Sequence, residues 1–221
     1  MPKIGILAIQ GDFLEHQDAL NRIGVESFEI RLPHQLDDID GLIIPGGEST
    51  TIAQLIDIYG FRNKIKKLVA SGMPVWGTCA GLIVMAKHLS DQRPVPLGLM
   101  DIDVSRNAFG RQVQSFEKDI DVDQLEGPPF HAIFIRAPKV NKIGSGVKVL
   151  ASLNDGSIVA VRQGSLMGTS FHPELTNDVR IHEMFVEIVE NSPQSTFSWV
   201  NFLKFISALA STTFETASWY P

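Results

Sequence analysis

The sequence predicts a three-layer α/β/α fold: a mostly parallel central sheet, helices on both faces and a small antiparallel β addition. Three observations predict it. Over the first ninety residues, short apolar runs alternate with longer amphipathic ones, the pattern of a parallel sheet with crossover helices. The short runs are apolar nearly throughout, as strands covered on both faces are. Past about residue 99 the long helical patterns stop, and strand-like runs follow one another across short polar turns.

The elements follow in order. Lys3–Gln10, Val25–Arg31, Gly41–Pro45 and Pro74–Gly77 are rich in β-branched and apolar residues and read as strands. Between them, Phe13–Ile23, Thr51–Ile58, Arg62–Ala70 and Leu82–Leu89 carry apolar residues at helical spacing. Leu99–Ser105, Gln112–Val122 and Ala132–Arg136 then read as strands without long helices between them. Val147–Leu153, Ser157–Arg162 and Leu166–Phe171 form an antiparallel meander, turned by Asn154-Asp155-Gly156 and Gln163-Gly164. A helix closes the pattern over Asn177–Glu190, with Val179, Met184, Phe185, Ile188 and Val189 apolar. With no internal repeat and no flexible linker, residues 1–190 make one domain and 191–221 an extension. The extension holds two of the three tryptophans and an apolar run, Phe197–Leu209, too short to span a bilayer. It is expected to dock on its own domain or to stay disordered, with a partner contact as the alternative.

Composition excludes several function classes. A formal charge of −6 and a pI near 5.5 leave no broad basic face for nucleic acid. A single cysteine permits no intrachain disulfide. No run reaches the roughly 18 apolar residues of a membrane span, and Ile4–Ile9 suits a buried strand better than a signal peptide. A cytoplasmic protein is expected.

In open parallel sheets, sites form where the carboxyl ends of strands lead into helices. Gln10-Gly11-Asp12, Pro45-Gly46-Gly47-Glu48-Ser49 and Gly77-Thr78-Cys79 all occupy such ends. Gly77-Thr78-Cys79-Ala80-Gly81 has the form of a nucleophile elbow, with small residues around the reactive one because the turn is tight. The following helix N-terminus favours the thiolate, and the Ala80 N–H can meet an oxyanion. A buried structural cysteine is the equally available alternative.

Of the six histidines, His16, His88 and His182 fall in helical patterns, and His34 and His131 in polar or loop surroundings; all five are expected at the surface or in satisfied structural roles. His172 ends a strand in Ser170-Phe171-His172-Pro173-Glu174. If the chain stays extended through Pro173, His172 and Glu174 project to one side, and the carboxylate can orient the imidazole as a base for Cys79. A solvated Glu beside a His-Pro turn is the alternative. After Leu42–Pro45, the Gly46-Gly47 pair lets backbone approach a ligand closely, and Gly47 offers a second oxyanion donor. A phosphate cradle competes with that role, although no lysine follows as in a Walker loop. Ser49 or Thr50 as a simple helix cap is the structural alternative.

Together these segments resemble the class I (triad) glutamine amidotransferases. Six of them keep the order seen in one subfamily, the glutaminase subunit of pyridoxal 5′-phosphate synthase: Leu7–Gly11, Pro45–Thr51, Gly77–Ile83, Arg106–Gln112, Phe134–Pro138 and Ser170–Thr176. The Gly-Gly-Glu-Ser-Thr-Thr and Arg-Asn-Ala-Phe-Gly-Arg-Gln segments are the specific ones, and the similarity runs over about residues 3 to 190. The resemblance implies a flavodoxin-like fold and a glutaminase with Cys79 as nucleophile, His172 as base and Glu174 as its orienting partner. It implies Gly47 and Ala80 at the oxyanion hole, and glutamine held by Gly46, Gly47, Glu48, Ser49, Arg106, Ile135 and Arg136. It implies no cofactor and no metal, and a partner that is a separate (β/α)₈-barrel synthase subunit receiving the ammonia. The chain is thereby placed with hydrolases and with lyases.

Two departures accompany the match. Asp12-Phe13-Leu14 stands where small residues are common, and the aromatic tail after Glu190 exceeds the usual family length. The glutaminase of imidazole glycerol phosphate synthase would share the triad but not the Arg106–Gln112 segment. Cysteine peptidases and stress proteins of the same superfamily place the base histidine soon after the nucleophile, where this chain has only His88. A non-catalytic regulatory subunit of this fold would be expected to carry a damaged triad.

Overall fold

The computed structural model describes residues 1–91, 93–106 and 115–192. The expectations placed on 107–114 and 193–221, including most of the Arg106–Gln112 segment and the tail, lie outside the described residues.

The described residues form β1 (Ile4–Leu7), α1 (Phe13–Arg22), β2 (Ser27–Ile30), β3 (Gly41–Ile44), α2 (Ser49–Ile58), α3 (Phe61–Ala70), β4 (Val75–Thr78), α4 (Ala80–Met85), β5 (Ala86–Leu89) and β6 (Met100–Ser105). There follow β7 (Ser115–Ile120), β8 (Phe130–Ile135), β9 (Lys139–Ile143), β10 (Lys148–Ser152), β11 (Ile158–Gln163), β12 (Leu166–Thr169) and α5 (Arg180–Glu190). Strands run β2-β1-β3-β4-β12-β11-β9-β6-β5 across one sheet, with β10 on β11, and β7 and β8 pair separately as an antiparallel ribbon. The β2-β1-β3-β4-β12 half is parallel, and the expected meander is present as β10, β11 and β12 in antiparallel register.

Alternation along the strands divides the core into two layers. Leu42, Ile44 and Val75 pack with α2, α3 and α4 on one face, whereas Ile4, Ile6, Ile43 and Trp76 pack with α1 and α5 on the other. Successive strand residues point to opposite faces, so a strand apolar throughout is the signature of a sheet covered on both sides. The parallel register, Leu42 beside Val75 and Thr169 beside Thr78, brings the carboxyl ends of β3, β4 and β12 to one edge.

Three expectations are corrected. The helix predicted over Leu82–Leu89 stops at Met85, because the carbonyls of Val84, Met85 and Ala86 accept from the N–H groups of Leu97, Leu99 and Gly98. The chain then continues as the edge strand β5 beside β6, so His88 lies on an exposed strand. β9 falls where no strand was expected; its sequence Lys-Val-Asn-Lys-Ile is mostly polar, and its pairing with β6 supplies what propensity does not. Beyond β12 the chain does not stay extended through Pro173. His172 caps a 3₁₀ turn over Pro173–Leu175, since proline suits the first position of a helical turn.

Candidate active site

β4 delivers the chain into the elbow. Cys79 takes φ 46° and ψ −100°, a conformation costly to a residue with a side chain by about 1–3 kcal/mol. The neighbours hold it there: the Cys79 N–H donates to the Thr169 carbonyl at 2.8 Å, and the Cys79 carbonyl accepts from Ile83 at 3.3 Å. The turn folds so closely that a Cβ on Gly77 would lie 2.5 Å from the Gly81 carbonyl carbon. The thiol is 7% exposed, with Sγ 3.8 Å from the Ile135 carbonyl oxygen, and opens into a cleft of about 390 Å³. That volume lies within the roughly 300–1,000 Å³ typical of small-molecule sites.

Facing the thiol across the cleft is His172, buried, with Nδ1 2.7 Å from Glu174 Oε1. The predicted pair therefore forms, although the 3₁₀ turn rather than an extended strand brings its members together. Glu174 is an ionised-form acceptor for Nδ1–H, which leaves Nε2 for the sulfur. Nε2 makes no hydrogen bond to any described residue; catalytic hydrogen bonds often form fully only around the substrate. Burial disfavours charge on His172, but Cys79 and Glu174 outweigh it and push its pKa up to about 10. Burial also pushes the Glu174 carboxyl up, against the pull of His172. For this coupled pair we assign the proton to the imidazole, because Glu174 and the sulfur flank it on both sides.

Most of the predicted residues converge on this cleft: Gly47, Glu48, Ser49, Ala80, Arg106, Ile135 and Arg136 line it with Cys79 and His172. Glu174 stands behind His172. Gly46 does not line the cleft but packs against the imidazole, where an added Cβ would lie 2.5 Å from His172 Cε1. Gly46→Ala is therefore expected to displace the imidazole and lower kcat about a hundredfold with little change in KM, checked by steady-state glutamate release. An unchanged kcat would show that the ring has room to move.

The helix cap is Glu48, rather than Ser49 or Thr50. Its carboxylate accepts from the Thr50 N–H at 3.1 Å and from the Thr51 N–H and hydroxyl at 2.7 and 2.8 Å. Burial favours its neutral form, yet the Thr51 and Thr50 donors together outweigh it and hold the carboxyl below its usual value. Arg106 reaches Glu48 Oε1 at 3.5 Å, so a cation and an anion stand side by side at one end of the cleft. Gln10 accepts from the Glu48 N–H at 2.9 Å and ties the β1 loop to the β3 loop.

Further residues stand at or behind the site beyond those given a role from the sequence. Asp12 lines the cleft with Oδ2 3.6 Å from His172 Nδ1, and Ile83 forms part of the wall. His16 and His182, expected at the surface or in satisfied structural roles, are fully buried behind Glu174. Their burial was legible in spacing: His16 shares a stripe with Ala19 and Leu20, and His182 with Phe185 and Val189. Asp12, His172 and Glu174 place one ligand atom each within 4.8 Å of one another. The short Nδ1–Glu174 bond already uses two of those atoms, so the group fits a proton-sharing pair better than a metal centre. A thiol at a strained elbow, an imidazole and a buried carboxylate are together suited to acyl transfer from an amide or ester.

Comparison with known proteins gives a consistent result. Residues 6–191 match the model of the SNO glutamine amidotransferase family. The chain is similar to a pyridoxal 5′-phosphate synthase subunit PdxT of Herpetosiphon aurantiacus, with 53% identity over 186 residues, 83% of this chain and 98% of the relative. A protein of the same name from Dehalococcoides mccartyi is 55% identical over 190 residues, 85% of this chain and 97% of the relative. A crystal structure titled glutamine amidotransferase superposes with a TM-score of 0.80 at 48% identity, covering 84% of this chain and 98% of that one.

Proposed function

The chain belongs to the SNO glutamine amidotransferase family, and we propose that it is a glutaminase subunit of pyridoxal 5′-phosphate synthase, releasing ammonia from L-glutamine at Cys79. The observation that carries this reading is the strained Cys79 elbow, opening onto a cleft lined by His172, whose Nδ1 is bonded to Glu174 behind it.

Glutamine enters with its α-carboxylate toward Arg106, where a guanidinium can bind it through two parallel bonds. The α-ammonium lies against Glu48 or the Ile135 carbonyl. Gly47, Ser49 and Arg136 complete the walls, and Gly46 packs behind them against His172. The Cys79 sulfur attacks the side-chain amide carbon, and the developing oxyanion is met by the N–H groups of Gly47 and Ala80. His172 passes its proton to the nitrogen, the C–N bond breaks and ammonia leaves a glutamyl thioester. His172, now neutral, takes a proton from water as the water attacks the thioester. Glutamate departs and the sulfur is regenerated. Glu174 keeps the imidazole in the tautomer that serves both steps. No step calls for a cofactor or a metal. The chain's own step is hydrolysis, so the lyase class does not describe it.

Ammonia passes to a separate synthase subunit, a (β/α)₈ barrel that combines it with a pentose phosphate and a triose phosphate. The work belongs in the cytoplasm; no helix among the described residues is long and apolar enough to cross a membrane. The Gln10-Gly11-Asp12 turn, at the mouth of the cleft and bonded to Glu48, is the natural place for the partner to control activity. The test is ammonia release from glutamine with and without the purified barrel subunit. Stimulation on complex formation is expected. A chain that neither binds the barrel nor responds to it would belong to a different acceptor.

A further inference from the structure

A buried carboxylate needs both its oxygens partnered, because an ionised group in a low-dielectric interior is costly wherever a lone pair faces nothing. Glu174 Oε1 has His172, but Oε2 makes no hydrogen bond among the described residues. Its near polar neighbour is His16 Nε2 on α1, at 3.5 Å, with the Thr78 hydroxyl oxygen at 3.2 Å from the same nitrogen. Whether that nitrogen carries a hydrogen decides whether Glu174 meets a donor or a lone pair.

The neighbouring ring answers the question. His16 Nδ1 lies 3.0 Å from His182 Nε2, so one of those two nitrogens holds the hydrogen. His182 Nδ1 is buried with no partner among the described residues. An orphaned N–H costs more than an orphaned lone pair, so His182 Nδ1 is left bare and its hydrogen sits on Nε2. His182 Nε2–H then donates to His16 Nδ1, which leaves the His16 hydrogen on Nε2, directed at Thr78 and Glu174. Trp76 packs edge-on against both rings and fixes their planes, with centroids 5.3 and 5.0 Å away. Burial keeps both rings neutral, His182 down at about 3 and His16 well below its usual value.

We infer that His16 is a positioning residue: in the tautomer set by His182, it holds Glu174 ionised and turned toward His172 through an N–H directed at Oε2. The inference rests on the reading of Cys79, His172 and Glu174 as the catalytic unit. It gives the α1–α5 face of the sheet a part in catalysis although none of its side chains touches the substrate.

The charged and titratable groups around Glu174 are few. His172 faces it from the 3₁₀ turn and Asp12 from the cleft, while His16 approaches from α1. His182 on α5 lies behind His16, and Arg22 lowers the His182 pKa further. On the outer side Glu15, Asp18 and Arg22 share a surface groove with Glu174. Among these only His16 offers Oε2 a neutral donor. Its loss raises the Glu174 pKa, so the carboxylate is neutralised at higher pH and the acid limb of kcat/KM moves upward in pH.

Two measurements test this on the full chain with its synthase partner. Nitrogen-15 NMR of the imidazoles in the resting protein is expected to show His16 and His182 both neutral and protonated on Nε2; a hydrogen on His16 Nδ1 overturns the inference and needs no variant that folds. In kinetics, His16→Ala is expected to lower kcat about tenfold with KM within about twofold, and to raise the acid limb. His16→Gln, which keeps an N–H, recovers part of the loss, and neither variant costs more in a Glu174→Gln background. A loss of kcat with an unmoved acid limb, or an effect on KM alone, overturns the inference. Cys79→Ala separates the two levels: full turnover there defeats the catalytic reading itself, whereas an inactive Cys79→Ala beside an unmoved His16→Ala profile defeats only the role of His16.

Discussion

Replacing Cys79 by alanine is expected to lower kcat for glutamine hydrolysis on the order of 10⁴-fold or more, because no other group at the elbow can form the thioester. The cysteine is the single one in the chain, so no neighbouring thiol can substitute. Replacement by glycine is expected to be as inactive, yet the two variants should differ in stability. Cys79 sits at φ 46°, a conformation that any side chain resists and glycine does not. Cys79→Gly should therefore be more stable than Cys79→Ala by about 1–2 kcal/mol, read from urea unfolding midpoints at matched slopes. Substrate affinity should survive in both, since in the proposed binding mode Arg106 and Glu48 hold the other end of the glutamine. Turnover undiminished in Cys79→Ala would remove the basis of the mechanism. Equal stability of the two variants would mean that the elbow is not strained.

The second large effect is structural. A Cβ on Gly81 would lie 2.0 Å from the Ile44 carbonyl oxygen and 2.9 Å from its carbon. The obstacle is the backbone of the central strand β3, which cannot swing aside as a side-chain end would. Gly81→Ala must therefore drive α4 off the sheet, and with it Leu82 and Val84, both buried in the core. A loss of about 3 kcal/mol or more is expected, together with loss of activity, because the Ala80 N–H and Cys79 move with the helix. Gly60→Ala is the matching control. Its Cβ would meet open space, and its φ of +79° predicts a cost nearer 1 kcal/mol. Comparable losses in the two would argue against the close approach of α4 to β3.

Much of the site was legible in the sequence because its parts are local. Gly77 to Gly81 announces a tight turn by composition alone, and His172 and Glu174 are only two residues apart. Their bond forms even though the backbone between them is a 3₁₀ turn rather than a strand, since either path keeps such near neighbours within reach. The cap of α2, for which Ser49 or Thr50 was the structural alternative, was less legible for the opposite reason. Glu48, Ser49 and Thr50 are all plausible caps at adjacent positions, and the one that folds back is chosen by how β3 enters the helix.

What the sequence determined by itself was the layering, the elbow and the nearness of His172 to Glu174. Apolar periodicity and short-range spacing are local properties, and the strands apolar on both faces required helices on both sides. Only the tertiary structure decided the remainder. It ended α4 at Met85, where the backbone of Leu97–Leu99 claims its last carbonyls. It also joined His16 to His182, 166 residues away, behind Glu174. Spacing shows that a histidine lies on a buried stripe, but it cannot show what meets it there. The partner comes from another helix, and the sheet between the ends of the chain brings the two together.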